Sequence, residues 1–476
     1  MPGRLKSFFN PGDESRLLRR IFWVGFLVRV LYMTLAHTYR MRVIDDHFEF
    51  GWEMGRIARA LATGHGFANP FEGNSGPTAW TPPLYPLLLA GVFKLFGVYT
   101  LKSGWVILTI NSIFSAATAT AIYQIAWRCF GRGDRGLKIA LWSAWLWALY
   151  PAAMQYAVKW VWDMSLTAFL FAWVLVIALR LRGVGEASGK WSGVNDKRET
   201  NAGPQPPAAD HSLTPDHLPL TTLWAVFGLL WGLIALTNSS LLTFLPACGV
   251  WIIWPKFGFR ALIGPSIAAL CFVAVISPWV IRNWEVFHAF VPMRSNFGAE
   301  LYEATIFSDN GFPWGTTLPK AESAPEFRRY ERLGEIEFSR QQGEHAKAAI
   351  RAHPDLFARN ALRRVYFFWI GVPKPLDSGI AVEAIRRSNF AFFSLSGFLG
   401  LALALRRHVP GAWLFFWAFT FYPAIYYFVT VQARFRHPLE PILCILSVYL
   451  FQSADRTRSW SHQKPRADQR EDHAKQ

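Results

Sequence analysis

The residues best able to do chemistry in this 476-residue chain are acids and cations at the ends of apolar runs. Asp45-Asp46-His47-Phe48-Glu49 comes shortly after a first apolar run, Ile21 to Tyr39. Carboxylates at a membrane mouth act as general bases when a neighbour or partial burial tunes them. Two adjacent aspartates repel, which raises the pKa of one of them. The same stretch also suits a solvated loop or the cap of a helix starting near Phe50. Asp163 stands just inside another apolar run, in Lys159-Trp160-Val161-Trp162-Asp163. An acid in that position is a functional candidate, or else the i,i+4 partner of Lys159. Arg29, inside the first run, faces the same choice, and a structural role is the expectation.

Cations form the second group. Arg434, Arg436 and His437 lie between the last two apolar runs, and Lys94, Lys159, Arg282 and Arg294 fall on the same side by the topology below. Arginine binds phosphate oxygens bidentately and lysine supplies a point charge, so a lipid phosphate would account for the set. Snorkelling toward headgroups explains any one of them alone.

The elements that must hold these residues follow from composition. Apolar residues make up 52% of the chain and charged residues 17%, against about 25% charged in soluble domains. Aromatic residues reach 16%. This excludes disorder for most of the chain, and a disulfide scaffold. The four cysteines show no metal-ligand spacing and read as core residues. The expected fold is an all-α integral membrane protein with about ten transmembrane helices, near 21–39, 104–127, 137–157, 161–179, 221–237, 240–254, 261–281, 389–405, 411–430 and 437–452. No cleavage-site pattern follows the first run, which reads as a retained span. Leu84 to Val98, led by Pro82-Pro83, reads as a re-entrant or interfacial helix.

The net charge of +17 comes from 49 Lys+Arg against 32 Asp+Glu. Every second loop is basic, for example Arg128, Arg132, Arg135 and Lys138, then Arg406 and Arg407. That alternation puts both termini in the cytoplasm and the acids on the outer face. It assigns most of the charge to insertion and anionic headgroups rather than nucleic acid. The expected organisation is a cytoplasmic N-terminus, 1–20, then a transmembrane catalytic core, 21–281, with an outer loop 40–103 and a cytoplasmic linker 183–219. An extracytoplasmic, partly helical region, 282–388, precedes C-terminal spans over 389–453 and a cytoplasmic tail, 454–476. Within 282–388, an amphipathic stretch near 325–350 precedes an interfacial helix with Arg359, Arg363 and Arg364 beside Phe367, Phe368 and Trp369. No P-loop or G-x-G-x-x-G points to a nucleotide. No cofactor is required; a divalent metal on Asp45, Asp46 and His47 is conceivable but not favoured, and the metal ligands stay unknown.

The motifs occur in an informative order. After the acidic pair come Ile57-Ala58-Arg59-Ala60-Leu61-Ala62-Thr63-Gly64-His65-Gly66-Phe67, Pro77-Thr78-Ala79-Trp80-Thr81-Pro82-Pro83-Leu84-Tyr85-Pro86 and Phe93-Lys94-Leu95-Phe96-Gly97. Pro278-Trp279-Val280-Ile281-Arg282-Asn283, Arg294-Ser295-Asn296-Phe297-Gly298 and Arg434-Phe435-Arg436-His437-Pro438-Leu439-Glu440-Pro441 follow. The set resembles bacterial polytopic glycosyltransferases of the C superfamily (family 39-like), relatives of protein O-mannosyltransferases and of the lipid A aminoarabinose transferase. The likeness runs over roughly 430 residues, from the first span to the last.

The resemblance implies a polyprenyl-phosphate sugar donor, an envelope acceptor and a site on the outer face of the bacterial inner membrane. It implies an aspartate base, carried over to Asp46 first and Asp45 second, with Asp163 as a second catalytic acid. Lys94 matches a lysine suited to the donor phosphate, and Arg434, Arg436 and Arg282 are expected to join it. His65, Tyr85, Arg294 and Glu440, all within the shared motifs, are expected to bind substrate. The acidic pair lies farther from Ile57-Ala58-Arg59 than in the superfamily, so Glu49 and Glu53 also stay eligible as the base. A lipid or solute transporter is the rival reading. The enzyme reading requires Asp45, Asp46 and Asp163 to share a cavity with Lys94 or Arg436.

Overall fold

The computed structural model describes residues 14–41, 50–131, 133–185, 219–254, 262–306, 318–319, 324–372 and 380–461. Among these, every regular element is helical, and the strand-like pairing is one isolated bridge, Ala68 with Pro77. The α-helices are α1 (Glu14–Leu35), α2 (Glu53–Ala62), α3 (Leu84–Phe96), α4 (Leu101–Phe130), α5 (Asp134–Leu149), α6 (Pro151–Val158) and α7 (Met164–Leu181). Then come α8 (Leu220–Ala235), α9 (Leu245–Ile253), α10 (Ile263–Phe287), α11 (Phe297–Glu303), α12 (Pro325–Leu333), α13 (Glu335–Ala352) and α14 (Pro354–Ile370). The chain closes with α15 (Ile380–Arg406), α16 (Ala412–Phe428) and α17 (Glu440–Ser461). Two 3₁₀ helices, Ser239–Phe244 and Ala433–Leu439, lead into α9 and α17.

Four helices, α4, α7, α10 and α15, are long and apolar enough to cross a membrane. The sequence leads one to expect about ten spans, and the shortfall has local causes. Pro151 divides the run 137–157 into α5 and α6, sitting at the first turn of the second helix where its missing N–H costs nothing. The run 240–254 begins as a 3₁₀ turn, and α16 is 17 residues long with Pro423 inside it. The proline-led run forms the 13-residue α3. At about 1.5 Å per residue it is too short for a hydrocarbon core of about 30 Å.

Arg29 has a structural role, as expected. It is fully buried and donates to Ser115 Oγ (3.1 Å), Gly25 O (2.8 Å), Ala148 O (2.7 Å) and Trp147 O (3.3 Å). Two of those carbonyls belong to the last turn of α5. The cysteines are unpaired thiols, three of them buried.

The segments before α3 and after α10 pack against each other. Phe71 and Trp80 bury against Phe327, Tyr330 and Phe338 of α12 and α13, while Phe67 and Ala79 meet Trp279 and Val291. The amphipathic stretch near 325–350 thus forms two helices, parted at Gly334, whose φ of 75° suits a residue without a Cβ. The Glu335 carboxylate sits where these pieces meet. It accepts from Thr78 Oγ1 (2.5 Å), Ala79 N (2.6 Å), Ser295 Oγ (2.6 Å) and Tyr330 OH (3.0 Å). Burial raises its pKa, and the donors pull it back.

Replacing Glu335 with Ala orphans four donors in a buried place. The expected loss is about 3–5 kcal/mol, read as a lower thermal midpoint of the purified protein; an unchanged midpoint would show that the carboxylate is not what joins the two segments.

Candidate active site

A cavity of about 340 Å³ opens where α2, α7, α11 and the two 3₁₀ helices come together. Asp163 lies on its wall. The residue caps the start of α7, is 3% exposed, and accepts from Thr167 Oγ1 at 3.1 Å. Burial pushes its pKa up to about 6, against the opposing pull of Thr167, Arg434 and Arg294. Lys159 does not pair with it: its ammonium lies 5.9 Å from the Trp160 ring instead.

Gly51 fixes the backbone beneath Asp163. Its φ is 97°, and an added Cβ would come 2.5 Å from the Val161 carbonyl oxygen. Only glycine lets the chain entering α2 lie this close to Val161-Trp162-Asp163. Glu53, two residues on, also lines the cavity.

Arg434 faces Asp163 from the 3₁₀ helix before α17. Its guanidinium carbon sits 3.4 Å from the Trp162 ring centroid, and Nη1 donates to Gln432 Oε1. Burial lowers its pKa to about 10, so it stays charged at neutral pH. Arg294 also lines the cavity. Its Nε donates to Trp80 O (3.1 Å), and Nη2 lies 4.0 Å from Glu300 Oε1. Glu300 in turn accepts from Asn296 Nδ2 (3.2 Å) and Thr430 Oγ1 (2.9 Å). Thr237, Asn238, Ser239 and Ser240 supply a neutral polar wall between α8 and α9.

The other expected site residues lie elsewhere. Arg436 is fully buried and donates to Trp369 O (3.2 Å), Phe390 O (3.0 Å) and Ser394 Oγ (2.8 Å), with Glu440 Oε1 at 3.3 Å. Glu440 also meets His437 Nδ1 at 3.1 Å, so both residues of the pair are engaged within the core. Arg282 donates to Thr78 O and Phe67 O, each at 2.7 Å, and so ties α10 to the first segment. Lys94 is exposed in the last turn of α3. His65 is exposed and bonded to Thr63 Oγ1 (2.9 Å), and buried Tyr85 exchanges hydrogen bonds with Asn111. None of these six lines the cavity. Asp45 and Asp46 lie outside the described residues. The condition set for the enzyme reading is therefore not met among the described residues: neither Lys94 nor Arg436 lines the cavity, and the cations that share it with Asp163 are Arg434 and Arg294. Among the described residues, no group of three or more His, Cys, Asp or Glu is placed to hold a metal ion.

Sequence reasoning missed Trp162, Glu300 and the neutral wall. The wall had a signal: Thr237-Asn238-Ser239-Ser240 is a polar interruption between two apolar runs. Glu300 had none, because its partner Thr430 is 130 residues away.

No family model matches the sequence, and no curated protein matches it. Solved structures do. The oligosaccharyltransferase AglB of Archaeoglobus fulgidus, in complex with an inhibitory peptide and a dolichol-phosphate, aligns over 97% of this chain and 53% of its own, with 12% identity and a TM-score of 0.50. A crystal structure of the Archaeoglobus fulgidus oligosaccharyltransferase with Zn and sulfate aligns over 92% of this chain and 50% of its own, at 14% identity and a TM-score of 0.49. ArnT from Cupriavidus metallidurans, bound to undecaprenyl phosphate, aligns over 94% and 79%, at 13% identity and a TM-score of 0.37. This chain spans about half the length of the archaeal proteins. The first of these likenesses shows a shared fold.

The tight seat of Gly51 gives a direct check. Gly51→Ala is expected to destabilise by about 1–3 kcal/mol. Gly64→Ala, also at positive φ but with nothing within 4 Å of the new Cβ, is expected to cost about 1 kcal/mol. Thermal unfolding of both variants measures the difference, and equal losses would remove the contact with Val161 as the reason for this glycine.

Proposed function

We propose that this chain is a membrane glycosyltransferase. It moves a sugar from a polyprenyl-phosphate donor to a hydroxyl or amine of an envelope acceptor, with inversion at the anomeric carbon. The observation that carries the reading is the cavity that buried Asp163 shares with Arg434 and Arg294. The fold shared with AglB, whose structure includes a dolichol-phosphate, supports it.

The topology proposed with it has about ten spans and cytoplasmic termini. The cavity then opens on the outer face of the bacterial inner membrane, as the alternation of basic loops implies. The prenyl tail lies among the apolar helices and the phosphate enters at Arg434. Asp46 is the preferred base and Asp45 the second choice. Asp46 precedes Gly51, which lines the cavity, by five residues in the sequence.

In the reaction, the base takes the proton from the acceptor as its oxygen or nitrogen attacks the anomeric carbon. The bond from that carbon to the phosphate oxygen breaks, and the lipid phosphate leaves with the electron pair. Arg434 meets the charge that develops there, in a cavity with limited water. Asp163 is ionised at neutral pH and orients the acceptor opposite Arg434. A transporter of this kind would be built from two repeated halves with broken helices in paired positions, and no internal repeat is legible in the sequence.

Two measurements test this. Asp46→Asn in purified protein, offered a panel of polyprenyl-phosphate sugars, is expected to lower turnover by about 10²- to 10⁴-fold while keeping donor binding; undiminished turnover would sink the assignment. The pH profile is the second. Asp163 loses its charge as pH falls through about 6, so kcat/KM is expected to decline below that point and to be level above it. An acid limb near the ordinary carboxylate range would show that no carboxylate required for turnover titrates near 6.

A further inference from the structure

Several arginines in this protein lie over aromatic rings, and most also donate to backbone carbonyls. Arg182 sits 4.2 Å from the Trp251 centroid and donates to Trp251 O. Arg282 lies within reach of three rings and donates to Thr78 O and Phe67 O. Arg436 stacks 3.7 Å from the Phe390 centroid and donates to Trp369 O and Phe390 O. Each of these guanidinium groups is held at its edge by protein oxygen.

Arg434 differs. It has the closest stack of the four, 3.4 Å from the Trp162 centroid. Yet among the described residues its one hydrogen-bond partner is the side chain of Gln432, on Nη1. A guanidinium carries five N–H donors in its own plane. Stacking holds the face of the group and leaves that edge open: among the described residues Nε and Nη2 have no hydrogen-bond acceptor, and the residue lines the cavity. Trp162 is itself placed by its neighbours. Val161 is held under Gly51, and Asp163 begins α7.

We infer that Trp162 is a positioning residue for the lipid phosphate: its indole face fixes the Arg434 guanidinium so that the unpartnered Nε–Nη2 edge is presented to a phosphate monoanion. This rests on the reading of Arg434 as the phosphate ligand. Without the ring, the long arginine side chain samples many rotamers and must be ordered at each binding event, which weakens affinity without altering the bound geometry. The ring therefore acts on binding of the phosphate and little on the chemical step. Flat stacking needs a π face, so another aromatic residue replaces the indole and an aliphatic one of similar bulk does not.

The test uses the full-length protein in detergent or nanodiscs, with a polyprenyl phosphate lacking any sugar as the probe. Arg434→Ala, Trp162→Leu and Trp162→Phe are compared with the parent by direct binding titration and by donor KM and kcat. Trp162→Leu is expected to weaken probe binding about tenfold and to raise donor KM alike, with kcat at saturating donor within about threefold. Trp162→Phe is expected to restore binding to within about threefold of the parent. The leucine variant keeps an apolar side chain at the site, and the phenylalanine variant retains the ring should leucine fail to fold. Arg434→Ala, weakened with both Trp162 variants normal, would overturn the positioning role and leave the phosphate reading intact. Normal probe binding by Arg434→Ala would overturn the phosphate reading itself. Equal weakening by leucine and phenylalanine would reduce Trp162 to a packing residue and also overturn the inference.

Discussion

A helix that ends inside or beside apolar surroundings leaves up to four carbonyl oxygens with no partner. Where water cannot reach, each such group costs several kcal/mol. This constraint is met here by arginine. Arg29 donates to Trp147 O and Ala148 O at the end of α5, and Arg436 to Trp369 O near the end of α14. Arg364 spans two ends at once, donating to Ala304 O after α11 and to Tyr427 O in the last turn of α16. Arg182 serves Trp251 O in α9. The choice of arginine follows from shape. A planar fork of five donors can reach two helices, while an ammonium on a flexible stem cannot do so with the same order. The negative end of each helix dipole adds to the attraction.

That use of positive charge gives the +17 a second meaning. Part of it lies on loops that set orientation. Another part is interior, holding together short helices that could not satisfy their own ends. The chain can then break an apolar run at Pro151 while Arg29 serves two of the carbonyls left at the end of α5. Breaks of this kind put polar side chains among apolar helices, and the cavity is made from them. Asp163 stands at the break between α6 and α7, the neutral wall at the break between α8 and α9, and Arg434 at the break before α17.

The helices and the candidate acid were legible in the sequence because a charge within an apolar run is conspicuous and costly. The same signal did not separate one arginine from another. Arg434 and Arg436 are two residues apart on a 3₁₀ helix, where side chains are set about 120° apart, so one faces the cavity and the other the core. Which face is which depends on Ser394, Phe390 and Trp162, and none of these adjoins the motif. Among the described residues four helices are long and apolar enough to cross a membrane; hydropathy marks apolar runs and is blind to where proline cuts them. Glu335 was invisible for another reason: its partner Thr78 is 257 residues away. A carboxylate on an amphipathic helix looks solvated until the segment that covers it is known.

The arrangement around Asp163 has a physical logic that follows from these contacts. Three consecutive residues, Val161, Trp162 and Asp163, are each held by a different element: Gly51 before α2, Arg434 before α17, and Thr167 of α7. An acid and a cation placed from one short, clamped segment keep their separation when the surrounding helices shift. For a reaction in which charge moves from an attacking group to a leaving phosphate, fixed dipoles and charges are worth more than mobile ones, because no reorganisation is needed as the bond breaks. Rigidity at this point also explains why the flanking segments are joined so firmly by Glu335 and Arg282. If the chain leading to Trp80 moved, Arg294 would lose the Trp80 carbonyl, and two residues that line the cavity with Asp163 would shift.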